Sequence, residues 1–188
     1  MTSTIKVDTI QTAAGAVPTI GDLGINNSGT VLQIQSTVLT SASTMSADSW
    51  LDTGLSITLT PKSTNSKFIL CPSVTGTSSY FTWGIRLVRD GTAITETLAD
   101  TAGNRLVTTL SHNDYIAGNG TNSNQYQMHT LAGSFHDTTS ASDTSTSITF
   151  KVQAFFYDPG AINRSVENSD TASRHRCTSS FVVYEVEK

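Results

Sequence analysis

The alternation of apolar and polar residues is the feature of this sequence that most constrains its fold. The segment SITFKVQAFFY carries an apolar side chain at every second position: Ile148, Phe150, Val152, Ala154 and Phe156. Successive side chains of a β-strand point to opposite faces, so a period of two puts these residues on one face. The segment GLSITLT repeats the pattern with Leu55, Ile57 and Leu59. Both segments are predicted to be strands with one buried face.

Turn signals between such segments predict hairpins. In YFTWGIRLVRDGTAITETL, the dipeptide Asp90-Gly91 supplies the positive-φ residues of a tight turn. The face expected to be buried holds Phe81, Trp83, Ile85 and Leu87. The loop PKSTNS is predicted to join GLSITLT and KFILCPSV into a second hairpin. The segment TVLQIQSTVL is expected to bury Leu32, Ile34 and Val38.

The remaining segments complete an all-β pattern. RLVTTLSHNDYI and QYQMHTLAGSF are expected to be strands around the loop AGNGTNSN, HDTTSASDTSTS is expected to be a loop, and TSSFVVYEVE is the final strand. In total, about nine strands are expected, with turn signals about every ten residues and no helical apolar periodicity. The predicted fold is an antiparallel β-sandwich or jelly roll formed by residues 29–188.

Residues 1–28 differ from this pattern. Four residues disfavour a helix, namely Gly15, Pro18, Gly21 and Gly24. An extended N-terminal arm is therefore expected, with STIKVDTI as a short strand followed by the irregular piece AVPTIGDLGI. Its apolar side chains and its proline are candidates for docking on another protein or a neighbouring subunit: Ile5, Val7, Ile10, Val17, Pro18, Ile20, Leu23 and Ile25.

Composition and charge exclude several classes of function. The net charge is −4, the pI is about 5.4 and the arginines are dispersed, so the basic patch that neutralises phosphates is missing and nucleic acid is not an expected partner. Polar residues interrupt every apolar run, which argues against a signal peptide and against membrane insertion. Charged residues make up 14%, compared with about 25% in a typical globular protein.

The order of several sequence segments resembles the order found in a known family. STIKVDTIQTAAG, GTVLQIQST, GLSITLTPKSTNSKFIL, IRLVRDGT, ITFKVQAFFYD and SSFVVYEVE follow one another along most of the chain. This order is similar to that in small tail-fibre or fibre-like virion proteins of tailed bacteriophages of aquatic bacteria, notably cyanobacterial phages. The resemblance implies a homotrimer with an N-terminal anchor to other virion proteins and an outward β domain. It also implies location in the virion, after assembly in the host bacterial cytoplasm.

The sequence leaves three hypotheses about function open. The first is a structural, short tail-fibre-like protein. The second is a capsid decoration or head-fibre protein, because the chain lacks the shaft of long fibres. The third is a host-attachment module that recognises surface glycan through the loop AGNGTNSN. For the third hypothesis, the candidate glycan-facing residues are Tyr115, Asn119, Asn122 and Tyr126.

A few other side chains are candidates for metal binding or catalysis. His112 and Asp114 have strand spacing and could bind a metal together with His129, His136 or Asp137; the alternative is a set of solvated residues at a strand end. No motif positions a Ser-His-Asp triad, and nothing pairs Glu96, Asp100 or Asp114 as glycosidase carboxylates. We expect no enzymatic activity, no cofactor and no metal.

The aromatic residues, the cysteines and the glycosylation sequons receive structural interpretations. Most of the large aromatic residues are expected to pack the core or a subunit interface, although an exposed subset could stack on sugars: Trp50, Tyr80, Trp83, Tyr115, Tyr126 and Tyr157. Cys71 and Cys177 are expected to be buried free thiols in strand contexts. The sequons at Asn26, Asn119 and Asn163 are attributed to chance, and Arg174–Arg176 to a solvated loop.

Overall fold

The computed structural model describes residues 28–79, 82–101, 103–113, 127–167 and 175–188. These ranges contain twelve strands and a 3-10 turn at Thr95–Thr97, and no α-helix. The strands are β1 Val31–Leu39, β2 Ser43–Met45, β3 Trp50–Leu59, β4 Ser66–Ser78, β5 Thr82–Arg89, β6 Thr92–Ala93, β7 Leu110–Asn113, β8 His129–Ala132, β9 Phe135–Asp137, β10 Ile148–Phe156, β11 Gly160–Ile162 and β12 Ser179–Glu187. The all-β prediction is confirmed.

Seven strands form one antiparallel sheet, called sheet A here, with the order β1-β12-β4-β11-β2. Strands β8 and β9 also pair with β4. Ser73 pairs with both Ser180 and Ala132, and Gly76 pairs with both Ile162 and His129. Because a strand has only two edges, β12 and β11 must share one edge of β4, while β8 lies along the other.

Five strands form the second antiparallel sheet, called sheet B, with the order β3-β10-β5-β6 and with β7 also paired to β5. The β5–β6 hairpin turns at Asp90 and Gly91, whose φ angles are 48° and 85°. This tight turn was predicted from the sequence, and the structure confirms it, because both residues take the left-handed backbone region.

One apolar cluster joins the two sheets. It contains alternate residues of β4 and β12 from sheet A and of β3, β5 and β10 from sheet B. Phe68 and Phe150 meet in it at a ring-centroid distance of 5.0 Å, and Trp83 stacks on Phe156 at 5.4 Å. The buried faces predicted for β3 and β10 are confirmed, as are the inward positions predicted for Trp83, Ile85 and Leu87.

Two buried polar contacts supplement this core. Arg89 Nη1 of β5 donates to Asp137 Oδ2 of β9 at 2.7 Å, which ties sheet B to sheet A. Glu185 of β12 is fully buried and accepts hydrogen bonds from the backbone N–H groups of Lys62 and Ser63, from Ser66 Oγ and from Gln33 Nε2. Because each buried charge has hydrogen-bond partners, its desolvation is offset.

The structure corrects three predictions. The hairpin expected from β3 and β4 does not form, because β3 pairs with β10 in sheet B and β4 pairs with β12 in sheet A. The segment around Arg105–Thr109 is not a strand, and β7 begins only at Leu110. Cys177 lies before β12 rather than in a strand.

The most consequential correction concerns β1. Its alternation was expected to bury Ile34 and Val38, but these side chains are 55% and 60% exposed. The opposite side of the strand is mostly polar: Gln33 pairs with buried Glu185 and Thr37 pairs with buried Phe181, and only Leu39 at its end packs against the core. Strand β1 therefore turns Ile34 and Val38 outward and its polar residues toward the interior.

Candidate functional site

The outer side of sheet A carries an apolar surface that crosses three strands. Ile34 of β1 pairs with Tyr184 of β12, and Tyr184 pairs with Ile69 of β4. Directly paired residues of an antiparallel sheet lie on the same face, so these three form one row. With the neighbouring outward positions they make up what we call the outer apolar face: Val31, Ile34, Val38, Ile69, Val182, Tyr184 and Val186.

Few charges interrupt the outer apolar face. Among the outward positions paired across β1, β12 and β4, Lys67 is the only residue charged at neutral pH. Three residues of the face are exposed, namely Val31, Ile34 and Val38, and the other four are half-buried. A solvated sheet face normally carries polar side chains, and an apolar surface that reaches solvent in this way is typical of an interaction site. The face extends to β1, which pairs only with β12 in the described part of the chain.

A hydrogen bond fixes the orientation of β1. Gln33 Nε2 donates to Glu185 Oε2 at 2.5 Å and to the carbonyl oxygen of Thr60 at 2.8 Å. Shifting β1 by one residue would exchange its two faces and would remove Gln33 from this partner. The buried carboxylate thus holds β1 with Ile34 and Val38 directed outward.

A half-open groove of about 990 Å³ lies beside sheet B. One wall is formed by Phe155 and Tyr157 at the end of β10, and another by residues 103–106, where Leu106 is 47% exposed. Asp48 closes one part, and Ser111 and Asn113 of β7 contribute polar groups. These segments are distant in sequence, so the groove exists only because the sheet brings them together.

Side chains of the neighbouring strands support the aromatic wall from the side. Phe155 packs against Trp50 at a ring-centroid distance of 5.6 Å, and the Arg86 guanidinium lies 4.4 Å from the centre of the Trp50 ring. Arg86 Nε donates to Gln153 Oε1 at 2.9 Å, and Gln153 Nε2 donates to Asp52 Oδ1 at 2.8 Å. Such a network limits the orientations of Phe155.

Two carboxylates lie close together near this groove. Burial raises the pKa of Asp158, and the negative charge of Asp48 raises it further. Oxygen Oδ2 of Asp158 is buried and has no hydrogen-bond partner within the described ranges. Asp48 itself adopts a left-handed φ of 57°, and its N–H donates to the carbonyl of Phe156. This end of the groove is therefore electronegative.

The predicted metal ligands are only partly brought together. The rings of His112 and His129 stack with their centres 3.6 Å apart, where β7 of sheet B meets β8 of sheet A. His136 is exposed, and Asp137 is bound by Arg89. Asp114 lies outside the described residues. Within residues that are described, no group of three histidine, cysteine or acidic side chains is placed to hold a metal ion.

Other candidate residues have individual environments. Glu96 is exposed, and its pKa is lowered by a hydrogen bond from its own backbone N–H and by hydrogen bonds from Thr138, Thr95 and Thr139. Asp100 is exposed. Cys71 and Cys177 are free thiols, as expected, but both are half-buried rather than buried.

The aromatic side chains and the third sequon divide between core and surface. Trp83 belongs to the core and Tyr157 is 60% exposed, whereas Tyr80 lies outside the described residues. Asn163 is fully buried, and its side-chain amide donates to the carbonyls of Leu39 and Ser41. A glycosyltransferase could not reach this amide, which agrees with the interpretation of its sequon as a chance match.

Two sets of candidate site residues lie outside the described ranges. The proposed docking residues of the arm, Ile5 to Ile25, belong to the first set, and Tyr115, Asn119, Asn122 and Tyr126 form the second. Both remain predictions. The second set begins two residues after Asn113, which lines the groove. Sequence reasoning missed the groove itself, because no local motif links Asp48, Leu106 and Phe155.

Comparison with known proteins adds no assignment: no family model matches the sequence, and a search of curated proteins finds no match. The described residues include no helix with the length and apolar character needed to cross a membrane.

Proposed function

We propose that this chain is a structural virion protein of a tailed bacteriophage, short and tail-fibre-like. In this proposal residues 1–28 anchor it to another virion protein and the β domain projects outward. The order of sequence segments, which resembles that in fibre-like virion proteins, supports this proposal together with the all-β fold. A capsid decoration or head-fibre role agrees with the same observations, and imaging the protein on the virion would separate the two.

The strand order supports a finer description of the fold. The main strands run β1-β12-β4-β8 in sheet A and β3-β10-β5-β7 in sheet B. We propose that this arrangement is a jelly roll, in which the chain passes repeatedly between two facing sheets and, of the eight main strands, only β5 and β7 follow each other within one sheet. Jelly rolls are common in viral capsid and lectin domains. The fold alone does not assign a function, so the surface features must do so.

The outer apolar face is the observation that supports assembly of several copies. Ile34 and Val38 stand exposed on β1, which is an edge strand among the described strands. An apolar row at an open sheet edge is an aggregation hazard unless another chain covers it. A second copy is the proposed occupant, because the outward positions paired across β1, β12 and β4 carry a single charge, that of Lys67, so little repulsion opposes the packing of two such faces. The resemblance implies that the assembly is a homotrimer.

Sedimentation velocity tests this assembly. We expect a trimer at micromolar concentration for the full chain, and mainly monomer for the variant Ile34→Lys with Val38→Lys, because lysine heads would have to be desolvated in the interface. Ser56→Lys, at an exposed position on β3 of sheet B, is the matched control and should stay trimeric. A monomeric wild-type chain, or a lysine double variant that remains trimeric, would contradict the proposal.

Particle binding tests the arm. Deleting residues 1–28 should leave a folded protein that no longer joins purified particles, and Ile5→Asp with Ile10→Asp should weaken attachment without changing the melting temperature. Main-chain pairing by a strand-like arm and simultaneous engagement of several arms would provide the affinity. If the deletion abolishes the cooperative melt, the arm belongs to the core and the docking role is wrong.

The receptor-binding alternative has its own support in the groove beside sheet B. An exposed aromatic side chain next to carboxylate, amide and hydroxyl groups is a surface suited to a sugar. This second function is compatible with the first, because the groove and the outer apolar face lie on different sheets.

A further inference from the structure

We propose that the groove beside sheet B binds a neutral oligosaccharide. This inference deepens the receptor-binding form of the proposed function, and it does not depend on trimer formation or on attachment to a virion. The groove volume of about 990 Å³ lies at the upper end of the range of about 300–1,000 Å³ found for ligand sites. It can therefore hold more than one sugar ring.

The aromatic wall provides a stacking surface. Tyr157 is 60% exposed, so its ring can receive the C–H face of a pyranose. Phe155 continues the wall and is held by Trp50, which in turn packs under Arg86. Because this support exists without ligand, Phe155 has little side-chain freedom to lose when a sugar binds.

Polar groups face the aromatic wall from three other segments. Asp48 offers a carboxylate, Asn104 and Arg105 offer amide and guanidinium groups, and Ser111 and Asn113 offer a hydroxyl and an amide. Asn113 Oδ1 accepts a hydrogen bond from Thr82 Oγ1 at 2.9 Å, which fixes the orientation of its amide. Sugar hydroxyls both donate and accept, so they can pair with all of these groups.

The charge balance of the groove favours an uncharged ligand. Its lining holds one acidic residue, Asp48, and one basic residue, Arg105, within the described part of the chain. Burial raises the pKa of Asp158, and the negative charge of Asp48 raises it further, so the two carboxylates repel each other at this end of the groove. An acidic polymer would meet this electronegative end, and a peptide would need an enclosed apolar pocket for an anchor side chain. A neutral polyhydroxyl chain meets neither obstacle.

Isothermal titration calorimetry on the full chain tests the inference. The probes are short neutral oligosaccharides of glucose, mannose and galactose, with oligogalacturonate as the acidic probe. We expect saturable binding of at least one neutral probe and none of oligogalacturonate. Tyr157→Ala should weaken the affinity per site by about tenfold, the loss expected for one stacking contact, and Ser111→Trp should abolish binding by filling the groove.

Tyr184→Ala is the matched control, because Tyr184 lies on the outer apolar face of sheet A. It should leave the affinity per site unchanged even if it alters the oligomer. Circular dichroism of each variant separates loss of binding from loss of fold. Absence of binding by every neutral probe, preference for oligogalacturonate, or an unchanged affinity in both Tyr157→Ala and Ser111→Trp would overturn the inference. None of these results would affect the proposed assembly through sheet A.

Discussion

Replacing Glu185 by glutamine should destabilise the protein far more than an isosteric change usually does. Oxygen Oε1 accepts from the backbone N–H groups of Lys62 and Ser63 at 2.7 and 3.2 Å, and Oε2 accepts from Gln33 Nε2. Hydrogen bonds to a charged group contribute about 1.5–3 kcal/mol each, compared with about 0.5–1.5 for neutral ones. Glutamine keeps one acceptor oxygen for the loop but turns its amide donor toward the donor of Gln33. We expect the free energy of unfolding to fall by about 3 kcal/mol.

Equilibrium urea unfolding, followed by tryptophan fluorescence and circular dichroism at one fixed protein concentration, measures this change. In the Glu185→Gln background, Gln33→Ala should cost about 1–2 kcal/mol less than in the wild type, because it removes one of the two opposed donors. Glu187→Gln on the same strand is the control and should stay within about 0.5 kcal/mol of the wild type. A loss below about 1 kcal/mol for Glu185→Gln, or strict additivity with Gln33→Ala, would refute the role assigned to this carboxylate.

Two further predictions concern half-buried Asp158 and buried Asp137. Because the folded-state pKa of Asp158 is raised above 3.8, wild-type stability is retained below that pH and falls as the pH rises through the folded-state pKa. Asp158→Asn should therefore raise the melting temperature at pH 7 but not at pH 3, which thermal melts at the two pH values would measure. An equal rise at both pH values would disprove this prediction. Arg89→Met leaves Asp137, which is 1% exposed, without its cation. It should lower the free energy of urea unfolding by about 3–5 kcal/mol, and the control Arg86→Met, at a half-exposed arginine, should lower it by less. Equal losses in the two variants would contradict this prediction.

Local pattern identified most of the long strands but not their arrangement. The alternation in β3 and β10 predicted the buried faces correctly, because both strands are covered on one side by the core. In β1 the same alternation predicted the wrong face. Period two defines two sides of a strand, and only the partner Glu185, about 150 residues away in the chain, decides which side turns inward.

The assignment of strands to sheets was likewise not readable from the sequence. The short loop between β3 and β4 resembles a hairpin connection, yet it carries the chain from one sheet to the other. The groove depends on that arrangement, since Asp48, Leu106 and Tyr157 meet only when β5, β7 and β10 are assembled. Its aromatic residue Tyr157 was among the candidates for sugar stacking, whereas Phe155 and Leu106 gave no local signal.

The pairing of β1 and β4 with β12 has a consequence for synthesis of the chain. Both strands leave the ribosome long before β12, which consists of residues 179–187 and lies between them in the sheet. Loop-closure entropy must be overcome before such distant strands gain from pairing, so folding is expected to be slow compared with that of proteins rich in local contacts. Until β12 emerges, β4 has one edge without this partner, and the nascent chain offers the hydrogen-bonding groups of that edge to other chains being synthesised nearby. Where several ribosomes translate one message, encounters between copies thus precede completion of each monomer.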